Sequence, residues 1–118
     1  MEQRFEMQRI IQESVPGKQI TIAHIIASPM KEIFDRLGLD PNGGKCAIGI
    51  LALCPYESAI IAADIASKIS DIEIGFLDRF TGSLIVTGDV ASVETALGAI
   101  NDTLHNLMGF TPTIITRT

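Results

Sequence analysis

The sequence is poor in charge. Lysine, arginine, aspartate and glutamate make up 19 % of its 118 residues, below the ~25 % usual in soluble domains. Its basic residues form no cluster and the net charge is −5, so no nucleic-acid partner is expected. No apolar run approaches the ~18 residues that cross a bilayer, so no membrane partner is expected either. Residues 1–12 carry charge throughout, which leaves no signal-peptide core and predicts a cytoplasmic location. Ser-His-Asp spacing, a histidine pair at ligand spacing and a nucleophile elbow are all missing. Gly43-Gly44 is not followed by the Gly-Lys-Ser/Thr of a phosphate-binding loop and leads into a strand, not a helix. The expectation is a chain with no cofactor, no metal and no enzymatic activity.

Cysteine is nearly absent. Cys46 and Cys54 lie near the two ends of one predicted strand, roughly 26 Å apart. They cannot bond to each other while that strand persists, and two buried thiols are expected. Asn101-Asp102-Thr103 matches a glycosylation triplet, but it falls inside a predicted helix and is discounted.

Apolar residues are in excess. With the ten glycines they reach about 55 % of the chain, against a usual 45–50 %. A single domain of this length has a limited interior. Part of the excess is expected to face other copies, because large exposed apolar patches mark interfaces.

Met1 to Ser14 is polar, and Val15-Pro16-Gly17 is a turn signal that cuts it off. Arg9 to Ser14 reads as a short extra strand that needs a partner edge. Gln19 to Ala27 follows as a strand with Ile20, Ile22, His24 and Ile26 on one face. His24 is expected to be satisfied by a backbone carbonyl or packed at an interface. Ser28-Pro29 starts a helix with Met30, Ile33, Phe34 and Leu37 as its buried stripe, and Gly38 ends it. Lys45 to Cys54 is nearly all apolar, as in a central strand buried on both faces, and Gly49 within it suggests close approach by a neighbour. Pro55-Tyr56-Glu57 opens a helix in which Ile61, Ile65 and Ile69 recur every four residues. Alanines 59, 62, 63 and 66 give it a second, flat face suited to something besides its own sheet. Asp64 and Lys68, four apart, form a surface pair or a polar contact at a subunit edge; spacing alone favours the surface pair.

The chain is organised around Asp71 to Asp89. Ile72, Ile74 and Phe76 alternate with Glu73, Gly75 and Leu77, and Leu84 to Thr87 resumes the strand pattern. Asp78-Arg79-Phe80-Thr81-Gly82 makes the turn between them. Glu73 and Asp78 are expected on opposite faces, which excludes joint acid–base work. Asp89 caps a long helix with a core stripe of Val93, Ala96, Leu97, Ile100, Leu104, Leu107 and Met108, and Gly109 stops it. His105 is placed at its solvent boundary. Pro112 confines the tail, Phe110 to Thr118, to an edge strand. The fold class is α/β (α+β): a mainly antiparallel sheet with its helices on one face, ferredoxin-like but with shifted element order.

Several stretches resemble one family. Ile10-Ile11-Gln12-Glu13, Val15-Pro16-Gly17-Lys18-Gln19, Ala23-His24 and the block from Gly75 to Gly82 are similar to the circularly permuted shell proteins of bacterial microcompartments. The propanediol-utilisation and ethanolamine-utilisation types are nearest, and a choline-utilisation homologue would look much the same. The resemblance implies a permuted BMC domain over 18–118, behind an extension over 1–17. It implies a homohexamer that tiles with other shell proteins around aldehyde-producing enzymes, with those enzymes as further partners. Arg9, Ile10, Ile11, Gln12, Glu13 and Ser14 would join neighbouring copies in an axial β-barrel. Asp78, Arg79, Phe80, Thr81 and Gly82 would line a restricted or capped pore. Lys68 would sit at the hexamer edge, with Asp64 orienting it. Asn42-Gly43-Gly44-Lys45 does not match the family cleanly. The competing reading is an oligomeric ferredoxin-like domain that binds a small metabolite as a sensor.

Overall fold

The computed structural model describes residues 17–39 and 47–118. Five strands form one sheet in the order β3-β4-β2-β1-β5. They are β1 (Gln19–Ile26), β2 (Ala47–Cys54), β3 (Glu73–Asp78), β4 (Ser83–Gly88) and β5 (Thr116–Arg117). Neighbours are antiparallel except β5, which joins the outer edge of β1 in parallel. The helices are α1 (Lys31–Leu37), α2 (Ser58–Ile69) and α3 (Val90–Met108). The expected mixed α/β architecture is present. Residues 1–16 and Cys46 lie outside the described part, and with them the expected extra strand. Cys54 is a free, half-buried thiol.

The core lies between one face of the sheet and the helices α2 and α3. Ile20, Ala23 and Ile25 of β1, Ala47, Leu51 and Leu53 of β2, and Leu84 and Val86 of β4 form its floor. Val93, Ala96, Leu97, Ile100 and Leu104 of α3 form its roof. Helix α3 has the start and stop the sequence predicts. The Asp89 carboxylate accepts a hydrogen bond from the Ser92 amide at 2.7 Å, a cap worth about 1 kcal/mol. Gly109 ends the helix at φ 73°, a left-handed conformation that glycine adopts without steric cost. Leu107, expected in the stripe, is 78 % exposed, because the helix turns that position off the sheet. Phe110 folds back into the core instead.

Gly49 marks a close approach of α3 side chains to the sheet. A Cβ there would come within 2.8–2.9 Å of Val93, Leu97 and Val86 side-chain atoms. The neighbour anticipated at Gly49 is therefore the side-chain layer of α3 and β4.

Two bulges overturn strand-face assignments. The β1–β2 register slips between Ile20 and Ile22. Ile20 therefore joins Ala23 and Ile25 on the core side, while Ile22 stays 49 % exposed. A second slip, between Ile74 and Phe76, puts Ile74 opposite Val86 and Phe76 opposite Ile85. Glu73 then pairs with Thr87 and Asp78 with Ser83, so both carboxylates share a face. They stand four ladder positions apart, roughly 13 Å, too far to act on one bond. An extra residue in one strand reverses every later side-chain direction.

The short helix α1 also departs from expectation. Phe34 is buried, but Met30, Ile33 and Leu37 are 73 %, 41 % and 46 % exposed. Met30, not Ser28, precedes the helix, without a side-chain cap. Gly38 does end it. Leu39 then reaches Gly75, whose absent side chain leaves the space. Arg36, Leu37, Leu39, Phe76 and Ile85 line a hollow of about 240 Å³ there. Ile85 faces away from the core, so only α2 and α3 share a face.

The C-terminal tail is tied down by hydrogen bonds. The Asn101 side chain donates to the Thr113 carbonyl at 2.8 Å and accepts from its amide at 3.0 Å. That use of the amide in α3 agrees with discounting the glycosylation triplet. His24 meets the Thr116 and Thr118 hydroxyls at 2.6 and 2.9 Å, so threonine side chains satisfy it in place of a carbonyl. His105 donates to the Phe110 carbonyl at 3.0 Å at the half-buried helix end.

Gly49→Ala is expected to cost about 1–3 kcal/mol, as overpacking of a filled core does. Chemical denaturation reads this as a lower midpoint at unchanged slope. An unchanged midpoint would mean that α3 can lift from β2 freely.

Candidate functional site

Two features combine exposure with built geometry: the β3–β4 turn and the outward face of α2. The turn is held by its own backbone. The Gly82 amide donates to the Asp78 carbonyl at 2.9 Å, and the Gly82 carbonyl accepts from the Leu53 amide at 2.9 Å. The second bond anchors the turn to the central strand. Gly82 sits at φ 74°, and a side chain there would meet the Leu53 carbonyl oxygen and the Tyr56 ring. Only glycine fits without displacing the chain.

Asp78 is committed to the turn. Its carboxylate accepts from the Phe80 amide at 2.8 Å. This bond, with help from the Thr81 hydroxyl, holds the carboxyl below its ordinary value, because hydrogen bonds to the anion favour it. Thr81 reaches the Ser83 hydroxyl at 3.1 Å. Arg79 lies over the Phe80 ring, 4.8 Å from its centroid, and Phe80 is 72 % exposed. The five residues from Asp78 to Gly82 thus divide. Asp78 and Gly82 build the turn, and Arg79, Phe80 and Thr81 are what it presents. Tyr56, which walls the turn at Gly82, was missed from the sequence. Only its place after Pro55 marked it, as part of a helix start.

The helix α2 reverses the expected assignment of its faces. Ser58, Ala59, Ala62, Ala63 and Ala66 are buried against the sheet and α3. Ile60, Ile61 and Ile69 are 47 %, 38 % and 56 % exposed, and Ile65 is half-buried. Alanine lets the helix axis approach closely, so the larger side chains are the ones left outside. Asp64 and Lys68 form an ion pair at 2.9 Å with 57 % and 73 % of their side chains exposed. Such a pair contributes at most about 1 kcal/mol. Lys68 follows Ile65 by three residues and Ile61 by seven, so it stands on the outward isoleucine face. The structure does not bring Lys68 and the turn together; they belong to separate surfaces. Residues Arg9, Ile10, Ile11, Gln12, Glu13 and Ser14 lie outside the described residues. Among the described residues no three His, Cys, Asp or Glu side chains gather where a metal could bind. No helix there is long and apolar enough to cross a membrane.

Comparison with known proteins fits this geometry. The BMC domain family matches residues 47–118, the segment that carries both surfaces. The bacterial microcompartment shell protein PduU of Salmonella typhimurium is 53 % identical over 118 residues, covering all of both chains. The solved flat hexamer of CutR superposes with a TM-score of 0.82 at 52 % identity, over 93 % of this chain and 99 % of that one. The fused permuted hexameric shell protein MSM0275 from the RMM microcompartment shares the fold at 22 % identity, with a TM-score of 0.61 over 74 % of this chain and 46 % of that one. In the present chain β1 and α1 precede the matched segment, yet β1 is hydrogen-bonded beside β2 inside the sheet, as a permuted order requires. A helix face that leaves isoleucines exposed beside an ion pair and a turn built rigid and exposed are what a subunit made to be surrounded by copies of itself would carry, and the chain belongs to the BMC-domain shell proteins of bacterial microcompartments.

Proposed function

We propose that six copies of this chain close around the β3–β4 turn to make a tile of a microcompartment shell, and that the tile walls in aldehyde-producing enzymes without catalysing a reaction itself. The shell role and self-association follow from the family and from the CutR flat hexamer; the shell lies within the cytoplasm. Family membership also favours the shell over a metabolite sensor. The observation that carries the proposal is the outward isoleucine face of α2. Each is about half exposed, and burying the remaining half contributes about 1 kcal/mol. Several per subunit, on the helix face that also carries Lys68, supply a drive for copies to associate.

In this arrangement Asp78, Arg79, Phe80, Thr81 and Gly82 meet their counterparts at the axis. Asp78 and Gly82 fix the turn, while Arg79, Phe80 and Thr81 set the width and charge of a restricted opening. Arg9, Ile10, Ile11, Gln12, Glu13 and Ser14 close into a β-barrel over that opening, which leaves no strand edge unpaired. Lys68, oriented by Asp64, makes the contact between neighbouring hexamers. Other shell proteins and the enclosed enzymes are the remaining partners.

The native mass of the full-length protein tests the assembly, with six copies expected; a monomer or dimer stable on dilution would remove the proposal. Lys68→Ala should leave hexamers intact and diminish sheets seen by electron microscopy. Loss of the hexamer itself would place Lys68 inside the ring, not at its rim. Deleting residues 1–14 should preserve the fold and the six-copy mass while opening the axis to solvent. Gly82→Ala should lower the melting temperature by about 4 °C for each kcal/mol lost in a domain of this size, with the strain centred on Leu53 and Tyr56. An unchanged melting temperature would show the turn to be less rigid than its hydrogen bonds indicate.

A further inference from the structure

The tail from Thr111 to Thr118 covers the outer edge of β1 with little strand of its own. Its ladder is two residues long, Thr116 and Arg117, shorter than a strand that holds by pairing alone. The rest of the hold comes from side chains of other elements. Thr116 and Thr118 are alternate residues of an extended chain, so both point to one side. There His24 of β1 meets their hydroxyls at 2.6 and 2.9 Å. Arg117, between them, reaches Glu94 of α3 at 3.3 Å. Asn101 of α3 bonds both the amide and the carbonyl of Thr113. Held in this way, the tail occupies outward backbone groups along β1. The Ile20 amide donates to the Thr111 carbonyl at 3.0 Å and the Ala27 amide to the Thr118 carbonyl at 2.9 Å. The Ile25 carbonyl accepts from the Thr118 amide at 2.8 Å.

β1 is a strand that requires such cover. Gln19–Ile26 holds four isoleucines and a threonine, with no proline, lysine, arginine, aspartate or glutamate. Uncharged, β-branched segments of this length pair with copies of themselves when their edge is bare. In a shell tile the copies stand at high local concentration, which favours any pairing their surfaces permit. We infer that the tail is a guard on the β1 edge: it keeps a second copy from adding its own β1 there, so that copies associate through surfaces other than their sheets. Without it, the β1 strands of two copies pair antiparallel about a two-fold axis. The guard can open without unfolding the subunit. Its tethers are a few hydrogen bonds and an exposed ion pair, while Phe110 at its base stays anchored in the core. The inference depends on the tail and not on where the β3–β4 turn lies in the assembly.

Two variants of the full-length protein test this from opposite ends of the tail. Thr116→Val with Thr118→Val removes both His24 tethers while keeping side-chain shape and strand preference. Asn101→Ala removes the tether at Thr113, and carries the test if the valine pair does not fold. Hydrogen exchange at the Ala27 amide, which the tail covers, reads the guard directly. It is expected to be about tenfold faster in the valine pair, the factor set by the loss of two hydrogen bonds. Sedimentation velocity is expected to show, for both variants, species heavier than the wild-type assembly. Adding Ile22→Lys, a charge on β1, should abolish those species. Ala27 exchange at the wild-type rate would overturn the tethers. Faster exchange with wild-type sedimentation would overturn the guard. Heavy species that persist with Ile22→Lys would overturn β1 as the strand that pairs. All three results would leave the shell tile standing.

Discussion

The close seat of α2 on the sheet is the constraint on which the rest depends. Alanine at 59, 62, 63 and 66 and serine at 58 give that helix a flat inner face. A flat face lets the helix sit deep against β2, β3 and α3, while the large core side chains come from the sheet and α3. The same choice expels the isoleucines. Ile60, Ile61 and Ile69 are left partly exposed around the rest of the helix. The stability of the subunit and its tendency to associate therefore come from one arrangement. Small residues inside serve the fold, and large ones outside are the surface that the proposed assembly would cover.

The β3–β4 turn follows a similar division of labour. Its rigidity comes from Asp78 and Gly82, from the backbone bond between Leu53 and Gly82, and from the Tyr56 wall. Because those groups are committed to structure, with the Thr81 hydroxyl among them, Arg79 and Phe80 are free to be presented. A loop whose exposed residues also had to hold its shape could not change its chemistry without losing its form. Here the tip can vary while the base stays fixed, and a ring of copies would multiply whatever the tip displays.

Much of this was legible in the sequence. The order of strands and helices, the hairpin from Glu73 to Gly88, the Asp89 cap and the glycine stops at Gly38 and Gly109 all follow from local periodicity and terminator chemistry. These depend on near neighbours in the chain, which the sequence contains in full. The outlying facts were those set by partners far along the chain. The burial of Phe110, the threonine partners of His24 and the wall formed by Tyr56 each join residues that no spacing rule connects.

By itself the sequence determined which segments are strands and helices, where they stop, and which residues occupy the turn, because those outcomes rest on backbone propensity and short-range hydrogen bonds. Only the tertiary structure decided which faces are inside. The bulges after Ile20 and Ile74 reverse the side-chain directions that strict alternation assigns to β1 and β3. In α2, alternation of large and small residues marks two faces without saying which one meets the sheet. The packing distance between helix and sheet settles that, and it favours alanine.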